Sequence, residues 1–217
     1  LPLNFAARKR SYFRREARPQ AGAGQGGRAD TRFEIVVGAV LTQNVAWRNV
    51  EYSLANLREA GLLEAQKLAT TASADLQRLI RPSGFMRAKS ETLIRAARWF
   101  LDDASHTRLP TDELRASLID VKGIGPETAD DIVLYGYERP VFIWDLYARR
   151  FLSAAGWAVP RSYEAARRTL QPLIDEGDFT TPELAHFHGL IVEAGKKARS
   201  CGGWESFYPT LEVSQRG

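Results

Sequence analysis

The run ELRASLIDVKGIGPETADDIVLYGY, residues 113–137, sets the tightest limit on the fold. It reads as a helix, a short glycine hairpin and a second helix. Gly123 and Gly125 permit positive φ and let the backbone come close to a ligand. Pro126 opens the second helix, where its missing N–H is no loss. The free N–H groups of that first turn then point outward and suit an anion held by backbone amides. On DNA such a loop fixes register on a phosphate without reading sequence, and Lys122 adds a charge. An ordinary turn between packed helices fits the same residues, so the hairpin alone leaves both readings open.

The surrounding sequence is helical too. RFEIVVGAVLTQ is almost wholly apolar, and its length and its continuation into WRNVEYSLANLREAGLL favour helices over a core strand. Val50, Leu54, Leu57 and Leu62 recur near helical spacing, and Gly61 offers a stop. ADLQRLIRPSGF ends a short helix before a Pro-Ser-Gly turn. RAKSETLIRAARWFLDD sets Leu93, Ile94, Ala97 and Leu101 on one face and basic groups on another. TDELRASLIDV starts with Thr111 or Asp112 as N-cap. Further helices are expected over 161–177 and 181–200, with a frayed tail after them. No set of alternating runs competes, so the fold class is all-α. Ahead of Phe33, ARKRSYFRREAR reads as a basic helix and PQAGAGQGGRAD as a flexible connection marking a boundary.

Composition narrows the function classes. Lys and Arg number 30 against 26 acids, a formal charge of +4, which permits a nucleic-acid partner without demanding one. One cysteine, Cys201, excludes an intrachain disulfide framework and a cysteine-only zinc or iron–sulfur cage built by this chain. Three histidines, His106, His186 and His188, show no ligand spacing, so no metal is expected. No apolar run reaches membrane-span length and no secretory signal is visible. A cytoplasmic protein is the expectation, nucleoid-associated if bacterial.

One helix beyond the hairpin stands FIWDLYARRF. Asp145 follows the apolar run Val141–Trp144 and precedes a basic amphipathic helix. An N-cap role is the usual reading, and a catalytic role is compatible with it. Here the sequence resembles the helix-hairpin-helix (HhH-GPD) DNA glycosylases of the endonuclease III superfamily, over most of residues 33–200. The resemblance rests on GAVLTQNVAWRNVE, IRPSGFMRAKSETLI, LIDVKGIGPETADDIVL, VFIWDLYARRFL and FHGLIVEAGK in one order. The branch it looks most like is the 3-methyladenine DNA glycosylase III type, which lacks an iron–sulfur cluster.

The resemblance implies two helical lobes with a DNA-binding cleft between them. One lobe spans 33–139 and contains the hairpin. The other combines 1–32 with 140–217. It also implies site residues. Asp145 matches the family's catalytic aspartate, and Lys122, Gly123, Ile124 and Gly125 match its phosphate-gripping hairpin. Glu127 stands where bifunctional relatives carry the Schiff-base lysine. Gln43 and Asn44, in the Thr42–Asn44 loop, and Phe85 match positions that probe the duplex. Trp47 matches an aromatic pocket wall, and Lys196 an active-site lysine of the similar branch. Trp144 and Tyr147 are added as candidate pocket aromatics.

The chemistry is consistent with those residue types. A glycosylase extrudes the nucleotide and fills the gap it leaves. Cleavage builds positive charge on the sugar, and a nearby carboxylate stabilises it. Without an amine at position 127 no Schiff base forms there, so water is the nucleophile and an abasic site the product. Two departures stand out: the four cluster cysteines are reduced to Cys201, and a Trp pair of the alkyladenine branch is replaced by Gly26 and Gly27. The expected function is base-excision repair of alkylated purines in double-stranded DNA, by a monomer without cofactor. Alternatives are a uracil or thymine mismatch glycosylase and a catalytically silent helix-hairpin-helix DNA-binding protein.

Overall fold

The structure is a computed structural model that describes residues 27–213 of the chain. The expected basic helix at 7–18, Gly26, and most of the glycine-rich connection lie outside the described residues. The end of that connection does not: Gly27 through Asp30 open the first helix rather than a loop. Every regular element among the described residues is helical, as the periodicity predicts. The chain divides into two compact units at Arg139–Pro140.

In the first unit, α1 (Gly27–Thr42) and α2 (Trp47–Glu59) are joined by the LTQN loop. Short helices α3 (Ala65–Leu68) and α4 (Ser73–Leu79) follow, then a 3₁₀ turn over Arg81–Ser83, then α5 (Met86–Phe100). The unit ends with α6 (Asp103–His106), α7 (Thr111–Ile119) and α8 (Pro126–Tyr135). Its core is continuous: Phe33, Val36, Val40 and Leu41 of α1 and Val50, Leu54 and Leu57 of α2 are all buried. Each large aliphatic side chain so buried contributes roughly 2 kcal/mol.

Three sequence expectations need correction here. Leu101 is 51% exposed, and Ile94 is only half-buried. The buried face of α5 runs through Lys89, Leu93, Ala96, Ala97 and Phe100 instead. Neither Thr111 nor Asp112 caps α7. Pro110 holds that position with extended backbone, and both residues sit in the first turn.

Polar ties close the first unit. The Arg32 guanidinium pairs with Asp103 and donates from Nε to the Gly136 carbonyl at 3.2 Å. Tyr137 donates its hydroxyl to Asp103 at 2.7 Å. Between the two hairpin helices, Arg115 grips Asp130 with two bonds, Nε to Oδ1 at 2.6 Å and Nη2 to Oδ2 at 3.2 Å. The Asp130 side chain has no exposed surface, so this bidentate pair is desolvated.

The second unit begins with the buried extended run Val141–Trp144. It continues through α9 (Leu146–Ala154), α10 (Tyr163–Glu176), α11 (Thr181–Ser200) and α12 (Trp204–Val213). The last of these lies where a frayed tail is expected. Thr180 and Glu183 form a capping box that fixes the start of α11. Aromatic rings fill the core: Phe142 meets Trp144 edge-on at 4.5 Å, and Phe187 lies 5.7 Å from Phe142. Gly195 lets α11 press on α9, because a Cβ there would sit 2.3 Å from the Tyr147 ring. No helix among the described residues is long and apolar enough to cross a membrane.

Candidate functional site

The hairpin of the first unit is built by local chemistry that the sequence announces. Gly123 takes φ +104, a region that side chains rarely adopt. Gly125 is extended and serves as N-cap of α8, with Pro126 at the first helical position. Ile124 is buried and anchors the loop, and its N–H closes a turn on the Val121 carbonyl at 2.9 Å. Lys122 and Gly123 are exposed. The Lys122 carbonyl accepts from Arg95 at 3.2 Å, which steadies the loop from α5. Glu127 lies in the first turn of α8, where a negative charge complements the helix dipole.

The probing positions differ from one another in the structure. Gln43 is held against the hairpin. Its amide Nε2 donates to the Gly123 carbonyl at 3.1 Å and to Thr128 Oγ1 at 3.0 Å. The donor capacity of the carboxamide is spent on the hairpin, so the LTQN loop and the hairpin are tied together. Asn44 is exposed, with φ +55. Phe85 is 68% exposed with φ +47, a left-handed conformation unusual for an aromatic residue. Trp47 is half-exposed at the start of α2.

Behind these loops lies Lys89 of α5. It is 3% exposed. Its ammonium donates to the Leu41 carbonyl at 2.8 Å and the Ser83 carbonyl at 2.8 Å. Burial pushes its pKa down to about 8. Position 89 precedes Leu93 by four residues and Ala96 by seven, so the helical period itself carries the signal.

In the second unit, Asp145 is the N-cap of α9, and Oδ1 accepts from the Ala148 N–H at 2.7 Å. Oδ2 lies 3.3 Å from Nε2 of His188, which is 3% exposed. His188 belongs to the FHGLIVEAGK stretch, yet its pairing with Asp145 joins two helices distant in sequence. Two oxygens with separate partners fix the carboxylate plane in a largely buried position. Neither residue lines the concavity of about 990 Å³ in this unit, whose walls include Tyr147, Arg150, Arg199 and Trp204.

Trp144 and Lys196 lie in contrasting environments. Trp144 has no accessible surface; its indole Nε1 bonds to Gln171 at 3.4 Å and its ring packs on Phe142. It is a core residue of the second unit. Lys196 is exposed on α11 and pairs with Glu193 at 2.8 Å, one turn earlier. Among the described residues, no three His, Cys, Asp or Glu side chains gather as metal ligands would.

Comparison with known proteins adds an independent line. The family model described as HhH-GPD superfamily base excision DNA repair protein matches residues 37–176. A candidate DNA repair glycosylase of Methanocaldococcus jannaschii is 36% identical over 78% of this chain and 79% of its own length. Endonuclease III of Thermotoga maritima is 29% identical over 76% of this chain and 73% of its own length. Among solved structures, Helicobacter pylori 3-methyladenine DNA glycosylase bound to 1,N6-ethenoadenine aligns with TM-score 0.64 and 30% identity. That alignment covers 76% of this chain and 85% of the other.

Proposed function

Because this chain belongs to the HhH-GPD superfamily of base excision DNA repair proteins, we propose that it is a monofunctional DNA glycosylase acting on alkylated purines in duplex DNA. The observation that carries this reading is the fixed carboxylate of Asp145, held by the Ala148 N–H and His188. A preorganised carboxylate stabilises the positive charge that develops on the sugar as the glycosidic bond breaks, and orients the attacking water. Water adds at C1′, the base departs, and an abasic site remains. The hairpin at 122–125 takes a phosphate of the backbone. Among the described residues its Gly123 and Gly125 amides donate no hydrogen bond within the chain, so both are available to an anion. Phe85 and Asn44 enter the duplex as the nucleotide leaves, and Gln43 does so on releasing the hairpin.

Glu127 supports the absence of lyase chemistry, because a carboxylate forms no Schiff base. The single cysteine, Cys201, cannot supply the four thiolates of an iron–sulfur cluster, so the reading includes no cofactor. The alkylpurine preference is supported by the resemblance to the Helicobacter pylori enzyme. The test is base release from duplexes carrying single lesions, followed by alkali. The expected result is release of alkylated purines, with strand breaks only after alkali. Asp145→Asn keeps an N-capping side chain and loses at least about a hundredfold in rate. Release of no base from any lesion, or a borohydride-trapped enzyme–DNA adduct, overturns the proposal.

A further inference from the structure

A buried ammonium is expensive to maintain, because its hydration is given up. Lys89 is nonetheless nine-tenths or more buried, on the apolar face of α5. A Leu or Met at this register would fill the same space at lower cost. What those residues cannot do is hold two carbonyls at once, and the identity of the two carbonyls is informative. Leu41 lies in the last turn of α1, immediately before Thr42–Asn44. Its carbonyl belongs to the helix end, where acceptors lack intrahelical donors and the dipole favours a cation. Ser83 ends the 3₁₀ turn that leads through Gly84 to Phe85. The Ser83 side chain is pinned as well, with Oγ 2.7 Å from Oγ of buried Ser53. The ammonium also lies 5.9 Å from the centre of the Phe85 ring, within cation–π range.

We propose that Lys89 is a positioning residue for the duplex-probing surface. Its ammonium ties the end of α1 to the turn before Phe85 and thereby sets the spacing of the two wedge loops. This rests on the reading of Asn44, Gln43 and Phe85 as groups that enter the duplex. The physical requirement is tight: a functional constellation works when its members are held within about 0.5 Å by rigid support. Phe85 is the member that most needs holding, since its left-handed backbone and exposed ring are both unfavourable on their own. Nothing in this role brings Lys89 into contact with substrate. It acts through Phe85 and the LTQN loop.

The experiment is a double-mutant cycle on base release under single-turnover conditions, with Lys89→Met and Phe85→Ala, alone and together. Melting temperatures confirm that each variant is folded, and Lys89→Gln replaces Lys89→Met if the latter is not. A parallel readout is the fluorescence of 2-aminopurine placed beside the lesion, which reports extrusion rather than chemistry. The expected result is a loss on the order of tenfold to a hundredfold for Lys89→Met when Phe85 is present. With Phe85→Ala already in place, the further loss should fall to about twofold. The fluorescence change should weaken in parallel while binding of undamaged duplex stays the same. Additive losses in the cycle, or wild-type extrusion by a folded Lys89 variant, overturn the inference and leave the glycosylase reading intact. If the wild-type protein releases no base, the fluorescence cycle alone decides, because extrusion needs no bond cleavage.

Discussion

Gly123→Ala separates two reasons for a glycine at the hairpin. The first is torsional: φ +104 lies where an L side chain is strained, at roughly 1–2 kcal/mol. The second is steric: a Cβ would sit 2.0 Å from Thr92 Oγ1 and 2.9 Å from its Cγ2. Thr92 is buried and its hydroxyl donates to the Ala88 carbonyl at 3.0 Å, so it cannot swing away freely. Overpacking of this kind costs about 1–3 kcal/mol. Together the loss is about 2–5 kcal/mol, measurable as a shift in urea midpoint at unchanged m. Thr92→Ala deletes the two nearest atoms, leaving its Cβ at 3.0 Å, and leaves the backbone as it is. In that background Gly123→Ala should cost little more than the torsional share, about 1–2 kcal/mol, with a small remainder from the Thr92 Cβ. The same variant should bind undamaged duplex more weakly, and its salt slope should fall by about 0.9 for each phosphate that the hairpin no longer neutralises. A loss below about 0.5 kcal/mol, or an equal loss in both Thr92 backgrounds, refutes the steric reasoning. Unchanged duplex affinity and salt slope in a folded variant refutes the phosphate role of the hairpin.

Three further outcomes are expected. Asp130→Asn removes the carboxylate that Arg115 grips with two bonds and should destabilise by about 3–5 kcal/mol, whereas exchanging both residues for Met and Leu should cost less; urea unfolding of the two variants beside wild type checks this. Lys89 makes stability rise with pH: its folded pKa is about 8, below the ordinary 10.5, so between those values the unfolded chain binds more protons. The gain across that window is on the order of 3 kcal/mol, present in full above 10.5 and lost as pH falls to 8. Tyr137 works in the opposite sense. Burial and the Asp103 carboxylate raise its pKa, so its contribution is lost as pH climbs above the ordinary tyrosine value of about 10. The comparison of wild type with Lys89→Met from about pH 7 to pH 10 isolates the lysine; parallel curves refute its assignment.

Local features follow from the order of residues alone. Glycine at Gly123, proline at Pro126 and an acid at Asp145 ahead of an amphipathic helix act through backbone torsions and caps, which depend on a few neighbouring residues. The hairpin, the first turn of α8 and the capping role of Asp145 are therefore legible in the chain, and so is the all-helical fold. Which polar groups meet across the chain is settled only by packing. Lys89 shares the helical period of Leu93 and Ala96, but the two carbonyls it meets come from other elements. The LTQN run does not reveal that the Gln43 amide meets the hairpin at Gly123 and Thr128. The sequence offers Trp144 as a pocket wall, and packing makes it core. His188 sits in a recognisable stretch, but only the fold sets it 3.3 Å from Asp145. Periodicity shows which face of a helix is apolar. It does not name the partner on the other side, because that partner is set by long-range packing rather than by local propensity.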